Sequence, residues 1–166
     1  MTVTLSAQDL RELIAAVPDP EVPVLSIEDL GILRDIDVDA ESGRIVVTIT
    51  PTYSGCPAVD AIRADIMRVL ADHGVDDAEV RTVLSPAWST DWMSVEGKRK
   101  LEEYGIAPPS GKSTMNEGPI PLTLSVKCPL CGSLNTEELT RFGSTACKAL
   151  YRCRACREPF DYFKVH

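Results

Sequence analysis

Six cysteines carry most of the chemistry this sequence offers, and they fall into two kinds. Cys128-Pro-Leu-Cys131 and Cys153-Arg-Ala-Cys156 are two C-x2-C pairs near the C-terminus. A C-x2-C turn aims two thiolates at one tetrahedral ion, and two such turns complete a four-sulfur site. Such a site holds zinc or an iron–sulfur cluster, since both accept tetrahedral sulfur ligands. The closed pattern and the short strands expected around it, Ala149 to Tyr151 and Phe160 to Phe163, favour a structural zinc in a ribbon of hairpins. Little other apolar content surrounds the pairs, so metal binding would supply much of that module's folding energy.

Cys56 stands alone far upstream, in Pro51-Thr52-Tyr53-Ser54-Gly55-Cys56-Pro57. Pro57 suits the first turn of a helix because it lacks an N–H. A thiol at a helix N-terminus meets the positive end of the dipole and unsatisfied amides, which favour the thiolate. Gly55 allows close backbone approach to whatever the sulfur binds, and Thr52, Tyr53 and Ser54 bring hydroxyls. The same position also suits a small packed side chain at a tight turn. Asp19 and Glu21 form a second candidate pair, although an acid among prolines is commonly a turn device. Cys147 reads as a spare ligand, a redox partner or core.

The elements that must position these residues follow from apolar spacing. Ser6 is an N-cap for a helix carrying Leu10, Leu13, Ile14 and Val17, which Pro18, Pro20 and Pro23 end. Ile32 to Val38 reads as a strand, Ser42-Gly43 as a hairpin turn, and Ile45 to Thr50 as the surest strand of the chain. A helix from about Ala58 carries Val59, Ile62, Ile66, Val69 and Leu70 and stops at Gly74. A third strand covers Ala78 to Leu84. This order predicts an α+β fold: a small α-β-β-α-β two-layer sandwich with both helices on one face of a mixed sheet, followed by the four-cysteine ribbon. A short charged helix, Val95 to Tyr104, lies between. Trp88 and Trp92 flank Asp91 and read equally as docking surface or core. The expected domains are residues 1–105, a Pro/Gly-rich linker over 106–123, and the ribbon over 124–166.

Composition narrows the function classes. The net charge of −8 is uneven: from Lys127 onward basic residues outnumber acids, and the remainder is strongly acidic. An acidic body argues against nucleic acid as the main partner, leaving a zinc-ribbon regulator as a distant alternative. No apolar run could cross a bilayer, and the first residues resemble no signal peptide, so a reducing cytoplasm is expected. Gly105 to Ser113 imitates a phosphate loop, but its spacing is one residue too long. There is no Glu-x-x-His of a di-iron oxygenase, no dinucleotide fingerprint and no serine elbow. An independent enzyme is not expected.

Asp19-Pro20-Glu21-Val22-Pro23, Ser26-Ile27 through Asp29-Leu30-Gly31-Ile32, and Thr50-Pro51-Thr52 with Gly55-Cys56-Pro57 resemble the iron–sulfur assembly domain of the SufT and MIP18-like family. Cys128 to Ser133, Phe142 to Ala149 and Cys153 to Phe160 resemble the zinc ribbon of the PaaD (PaaJ) family. The PaaD resemblance implies an accessory component of a phenylacetyl-CoA epoxidase, in aerobic phenylacetate breakdown by a cytoplasmic bacterial system. There a di-iron oxygenase works with a reductase bearing flavin and a 2Fe–2S cluster. The PaaD component is then an accessory or maturation factor and not the catalyst. The resemblance marks Cys56 as the thiol for transient cluster or iron transfer and carries Asp19 and Glu21 with it; Thr52, through its nearby hydroxyl, and Cys147 are supporting candidates from the residues themselves. One cysteine cannot complete a cluster. The remaining ligands would come from a second copy of the chain (a homodimer), the client's cysteines, a small thiol, or Cys147. A structural adaptor with Cys56 merely packed is the alternative reading.

Overall fold

The computed structural model describes residues 6–110 and 125–166. It divides into two compact units, Met1–Trp88 and Ser89–His166. No helix among the described residues is long and apolar enough to cross a membrane.

The first unit follows the expected α-β-β-α-β order. Helix α1 (Ala7–Ala15) opens with a capping box, in which Ser6 and Asp9 satisfy each other's backbone N–H. It buries Leu10, Ile14 and Ala15. Strands β1 (Leu33–Val38) and β2 (Ile45–Ile49) pair antiparallel across a turn at Asp39 to Arg44. Helix α2 (Ala58–Asp72) then returns the chain to β3 (Ala78–Thr82), which pairs parallel to β2. The sheet order is β1-β2-β3. Ile45, Val47 and Ile49 alternate inward along β2 and are buried. Ile62, Ile66 and Leu70 form the buried stripe of α2, which packs on β3 and against α1. Both helices therefore cover one face of a mixed sheet.

This topology fixes where loops emerge. Because β1 runs antiparallel to β2 and β3 parallel to it, the start of β1 and the ends of β2 and β3 share one end of the sheet. Two bonds mark that end: the Thr50 N–H donates to the Ile32 carbonyl and the Val83 N–H to the Ile49 carbonyl, each at 2.9 Å. Trp88 is buried and its indole N–H donates to the Leu30 carbonyl at 2.8 Å, so its role is core.

The second unit begins earlier than the sequence suggests. A 3-10 turn (Thr90–Trp92), helix α3 (Val95–Glu103) and the two-residue strand β4 (Ile106–Ala107) belong with it and not with a first domain reaching 105. The physical reason is pairing: β4 lies parallel to β7 (Pro159–Phe163), and the Thr90 N–H donates to the His166 carbonyl at 3.2 Å. The expected linker over 106–123 is described only as far as Ser110; its remainder lies outside the described residues. Strands β5 (Thr136–Thr140) and β6 (Lys148–Cys153) complete an order β4-β7-β6-β5. Its core joins Ala107, Val126, Ala149, Tyr151 and Phe160 to Cys128 and Cys153. Tyr151 sits edge-on to Tyr162, with ring centroids 5.4 Å apart.

Ile66 is fully buried on the inner face of α2. Ile66→Ala removes that side chain without changing the helix's polar face and is expected to cost about 2–5 kcal/mol. A lowered denaturant midpoint at unchanged slope is the expected reading.

Candidate functional sites: a four-sulfur centre and a loop thiol

The two C-x2-C pairs converge. The four sulfurs of Cys128, Cys131, Cys153 and Cys156 all lie within 4.8 Å of one another. Cys128 and Cys156 are 3.9 Å apart, and Cys131 and Cys153 3.5 Å. A zinc–sulfur bond of about 2.3 Å implies tetrahedron edges of about 3.8 Å, so the donor set fits a zinc ion held by four thiolates. Local backbone produces this arrangement twice. The Gly132 N–H donates to the Cys128 carbonyl at 2.9 Å, and the residue after each second cysteine is left-handed: Gly132 at φ 74° and Arg157 at φ 67°. Glycine adopts this freely, whereas a residue with a β-carbon is held there at a cost of about 1–2 kcal/mol.

The electrostatics also call for a cation. The Cys156 N–H, aided by that of Ala155, draws the Cys153 thiol down to about 6. The Glu158 N–H pulls Cys156 the same way. Burial and the neighbouring sulfurs of Cys153, Cys131 and Cys128 outweigh it and push Cys156 up to about 12. Four thiols this close cannot all ionise without a metal between them. Zinc, when bound, would supply a closed structural crosslink at this point, and no open position remains for a reacting ligand.

Cys147 is not part of this centre. It immediately precedes β6, whereas Cys153 ends it, and the length of the strand separates the two by roughly 20 Å. Closeness in sequence to the second pair was misleading for that reason. Cys147 is buried, with its sulfur 3.0 Å from the Thr145 hydroxyl.

Cys56 occupies the loop end of the first unit's sheet. It follows β2, its N–H donates to the Tyr53 carbonyl at 3.3 Å, and its carbonyl accepts from the Val59 N–H at 3.2 Å as α2 begins. The sulfur-bearing residue is half-buried, while Thr52 and Tyr53 are also half-buried beside it in sequence. Gly55 is left-handed at φ 82°, and a β-carbon there would meet nothing within 4 Å, so the space over the loop is open. Thr82, which the sequence did not single out, ends β3 at this same end of the sheet. Its buried hydroxyl has no hydrogen-bond partner among the described residues.

Asp19 and Glu21 lie in the segment that feeds β1. Asp19 is buried, and its Oδ1 accepts from the N–H groups of Glu21 and Val22, each at 2.8 Å. Its own N–H donates to the Leu25 carbonyl at 2.8 Å. The carboxylate thus organises the proline-rich loop as an Asx turn. Glu21 is half-buried next to it.

Cys156→Ser is expected to lower bound zinc well below one per chain and to weaken the strands of the second unit, read by metal analysis and circular dichroism. Asp19→Ala leaves two N–H groups without their acceptor and is expected to cost about 1–3 kcal/mol. Asp19→Asn keeps an acceptor oxygen and should recover most of that stability, measured by chemical denaturation.

Comparison with known proteins agrees with this division. Residues 7–84 match the family described as iron–sulfur cluster assembly protein, and residues 113–164 match the PaaD zinc beta ribbon domain. A protein of Escherichia coli (strain K12) named as the fourth-lettered (D) component of 1,2-phenylacetyl-CoA epoxidase is 47% identical over 94% of this chain and 91% of its own length. An Fe-S protein maturation auxiliary factor of Porphyromonas gingivalis is 37% identical over 57% of this chain and 89% of its own. Among solved structures, a domain of unknown function (DUF59) from Bacillus anthracis superposes with a TM-score of 0.52 at 35% identity, covering 57% of this chain and 89% of that one. Two modules, one a sheet with a thiol at its loop end and the other a four-cysteine ribbon, joined in one chain alike over nearly its whole length to that epoxidase component, make this protein a member of the PaaD family.

Proposed function

We propose that the chain is a non-catalytic accessory factor of a phenylacetyl-CoA epoxidase, delivering an iron–sulfur cluster or iron through Cys56 to a cluster-bearing component such as the reductase. The observation that carries this reading is the setting of Cys56. The thiol is reachable, it precedes α2 at the end of the parallel strands, and the space beside Gly55 is open. Relatives that cover 51–57% of this chain are named as Fe-S protein maturation auxiliary factors, and the iron–sulfur cluster assembly match falls on residues 7–84, which together support assigning the transfer role to the first unit.

An incomplete ligand set suits a carrier. Clusters are usually held by four thiolates. Cys56 offers one, so the other ligands come from the acceptor's cysteines, a second copy of the chain or a small thiol. Cys147 is 4% exposed and would first have to be uncovered. The four-cysteine centre is the contrasting case: a closed cage retains its metal and gives the second unit its core. In this reading the ribbon's zinc stays in place while cargo passes through the other unit.

Cys56→Ser changes one atom at a half-buried position and is expected to leave folding and zinc content unaltered. In a strain carrying it, the purified reductase should contain markedly less iron and acid-labile sulfide than in the parent strain. A fully loaded reductase would overturn the transfer role and leave the chain as a structural adaptor of the complex.

A further inference from the structure

The four sulfur ligands are not equally protected. Cys128 and Cys153 are fully buried and belong to the core of the second unit, Cys156 is half-buried, and Cys131 is exposed. The whole tip of the first knuckle shares that exposure: Leu130 before Cys131 is 55% exposed, and Gly132 after it is exposed as well. One ligand of an otherwise closed cage therefore meets solvent. A thiolate is a nucleophile as well as a metal ligand, so access decides which of the four reacts first.

The exposed sulfur also has a partner within reach. Cys131 Sγ lies 3.5 Å from Cys153 Sγ, a shorter contact across the two knuckles than the 3.9 Å between Cys128 and Cys156. The two sides of that contact are held differently. Cys153 ends β6, where it stands opposite Thr136 of β5 and its N–H donates to the Glu158 carbonyl at 3.0 Å. Cys131 sits outside any strand, in the turn closed by the Gly132 N–H and the Cys128 carbonyl. Approach of the two sulfurs is thus made by the exposed knuckle tip toward a fixed strand end.

Charge balance favours the same outcome. Four thiolates around one divalent ion carry two net negative charges. Arg152, Arg154 and Arg157 line the space beside Cys153, and Arg152 and Arg154 share the single carboxylate of Glu137. Their surplus of two positive charges balances the intact centre. Removing two thiolates cancels the centre's negative charge, and the guanidinium groups then repel the cation.

We propose that Cys131 is an oxidation site for hydrogen peroxide, and that its closure to a disulfide with Cys153 opens the metal centre. The Cys131 thiolate attacks one peroxide oxygen, forming a sulfenic acid and expelling hydroxide. The Cys153 thiolate then attacks the Cys131 sulfur and expels a second hydroxide. Two thiolates and one peroxide thereby become one disulfide and two hydroxide ions. Cys128 and Cys156 are half a tetrahedral set and do not retain the ion. Because Cys128 and Cys153 are core as well as ligands, the packing of the second unit loosens with the loss. The device acts on the ribbon and stands apart from any transfer at Cys56.

The test treats the full, zinc-loaded chain with measured portions of hydrogen peroxide in oxygen-free buffer. Zinc is followed with a chromogenic chelator, and disulfides are mapped by mass spectrometry of proteolytic peptides. The expected result is zinc release in step with a Cys131–Cys153 disulfide and a fall in the strand signal of circular dichroism, both reversed by dithiothreitol with added zinc. Cys131→His keeps a zinc ligand but removes the exposed thiolate, so release at a given peroxide concentration should slow roughly tenfold. Should that variant fail to load zinc, the order in which the unaltered chain's cysteines oxidise still decides. Zinc retained in chains whose Cys56 is already oxidised overturns the proposal. So does a first disulfide in the ribbon other than Cys131–Cys153, or a zinc-loaded Cys131→His chain that releases its metal at the unaltered rate.

Discussion

The parallel pairing of β2 with β3 is the constraint on which the first unit depends. Parallel neighbours cannot be joined by a tight turn, so the chain must leave the end of β2, cross the sheet and return. Helix α2 is that crossing, and its Ile62, Ile66 and Leu70 stripe closes the core over the sheet. The helix has to begin where β2 ends. The turn between them is therefore held at both sides, by the sheet before Thr50 and by the helix after Pro57, while its middle stays open to solvent. Crevices outside the carboxyl ends of such strands are common ligand sites in open sheets for this reason. Cys56 occupies a stretch of this unit that is both rigidly anchored and uncovered.

The second unit solves a different problem with the same residue type. Its sheet has few large apolar side chains, and two of the most buried members of its core are Cys128 and Cys153. Sulfurs that serve as core and as ligands at once make the packing conditional on the metal. Around them, polar pairs take over work that apolar contacts do elsewhere. Glu137 of β5 is held well below the ordinary carboxylate range by the guanidinium groups of Arg154 and Arg152. The Tyr151 hydroxyl, pushed up to about 12 by burial and by Glu138, remains a donor to the Glu138 carboxylate at 3.2 Å.

How much of this was legible depended on where each signal resides. The helices over Ala7–Ala15 and Ala58–Asp72 and the β2 strand carry their own apolar periods, and those elements were readable within a residue or two. The convergence of the four paired cysteines was readable because C-x2-C spacing is itself a geometric statement. Strand β5 was not readable. Thr-Glu-Glu-Leu-Thr has no inward-facing alternation, and it is a strand only because β6 and its arginines pair with it. The division after Trp88 was hidden for a similar reason: α3 and β4 belong to the second unit through the pairing of Ile106 and Ala107 with residues some fifty positions later. Asp19 carried two readings in the sequence, and the structure adds the hydrogen bonds that make it a turn former.

Cysteine chemistry in this chain is thus decided by convergence and not by residue type. Where four sulfurs meet within 4.8 Å, all four can be thiolates together only with a cation between them, and such an ion would be enclosed once bound. Where one sulfur stands at a loop with open space beside it, no such enclosure can form from the first unit alone. A cluster held there would need ligands from outside the first unit. In the proposed transfer role this makes exchange part of binding, because the molecule that completes the site can also remove the cargo. Cys147, buried with its sulfur 3.0 Å from the Thr145 hydroxyl at the far end of β6 from the centre, is the third case, a thiol with neither convergence nor access.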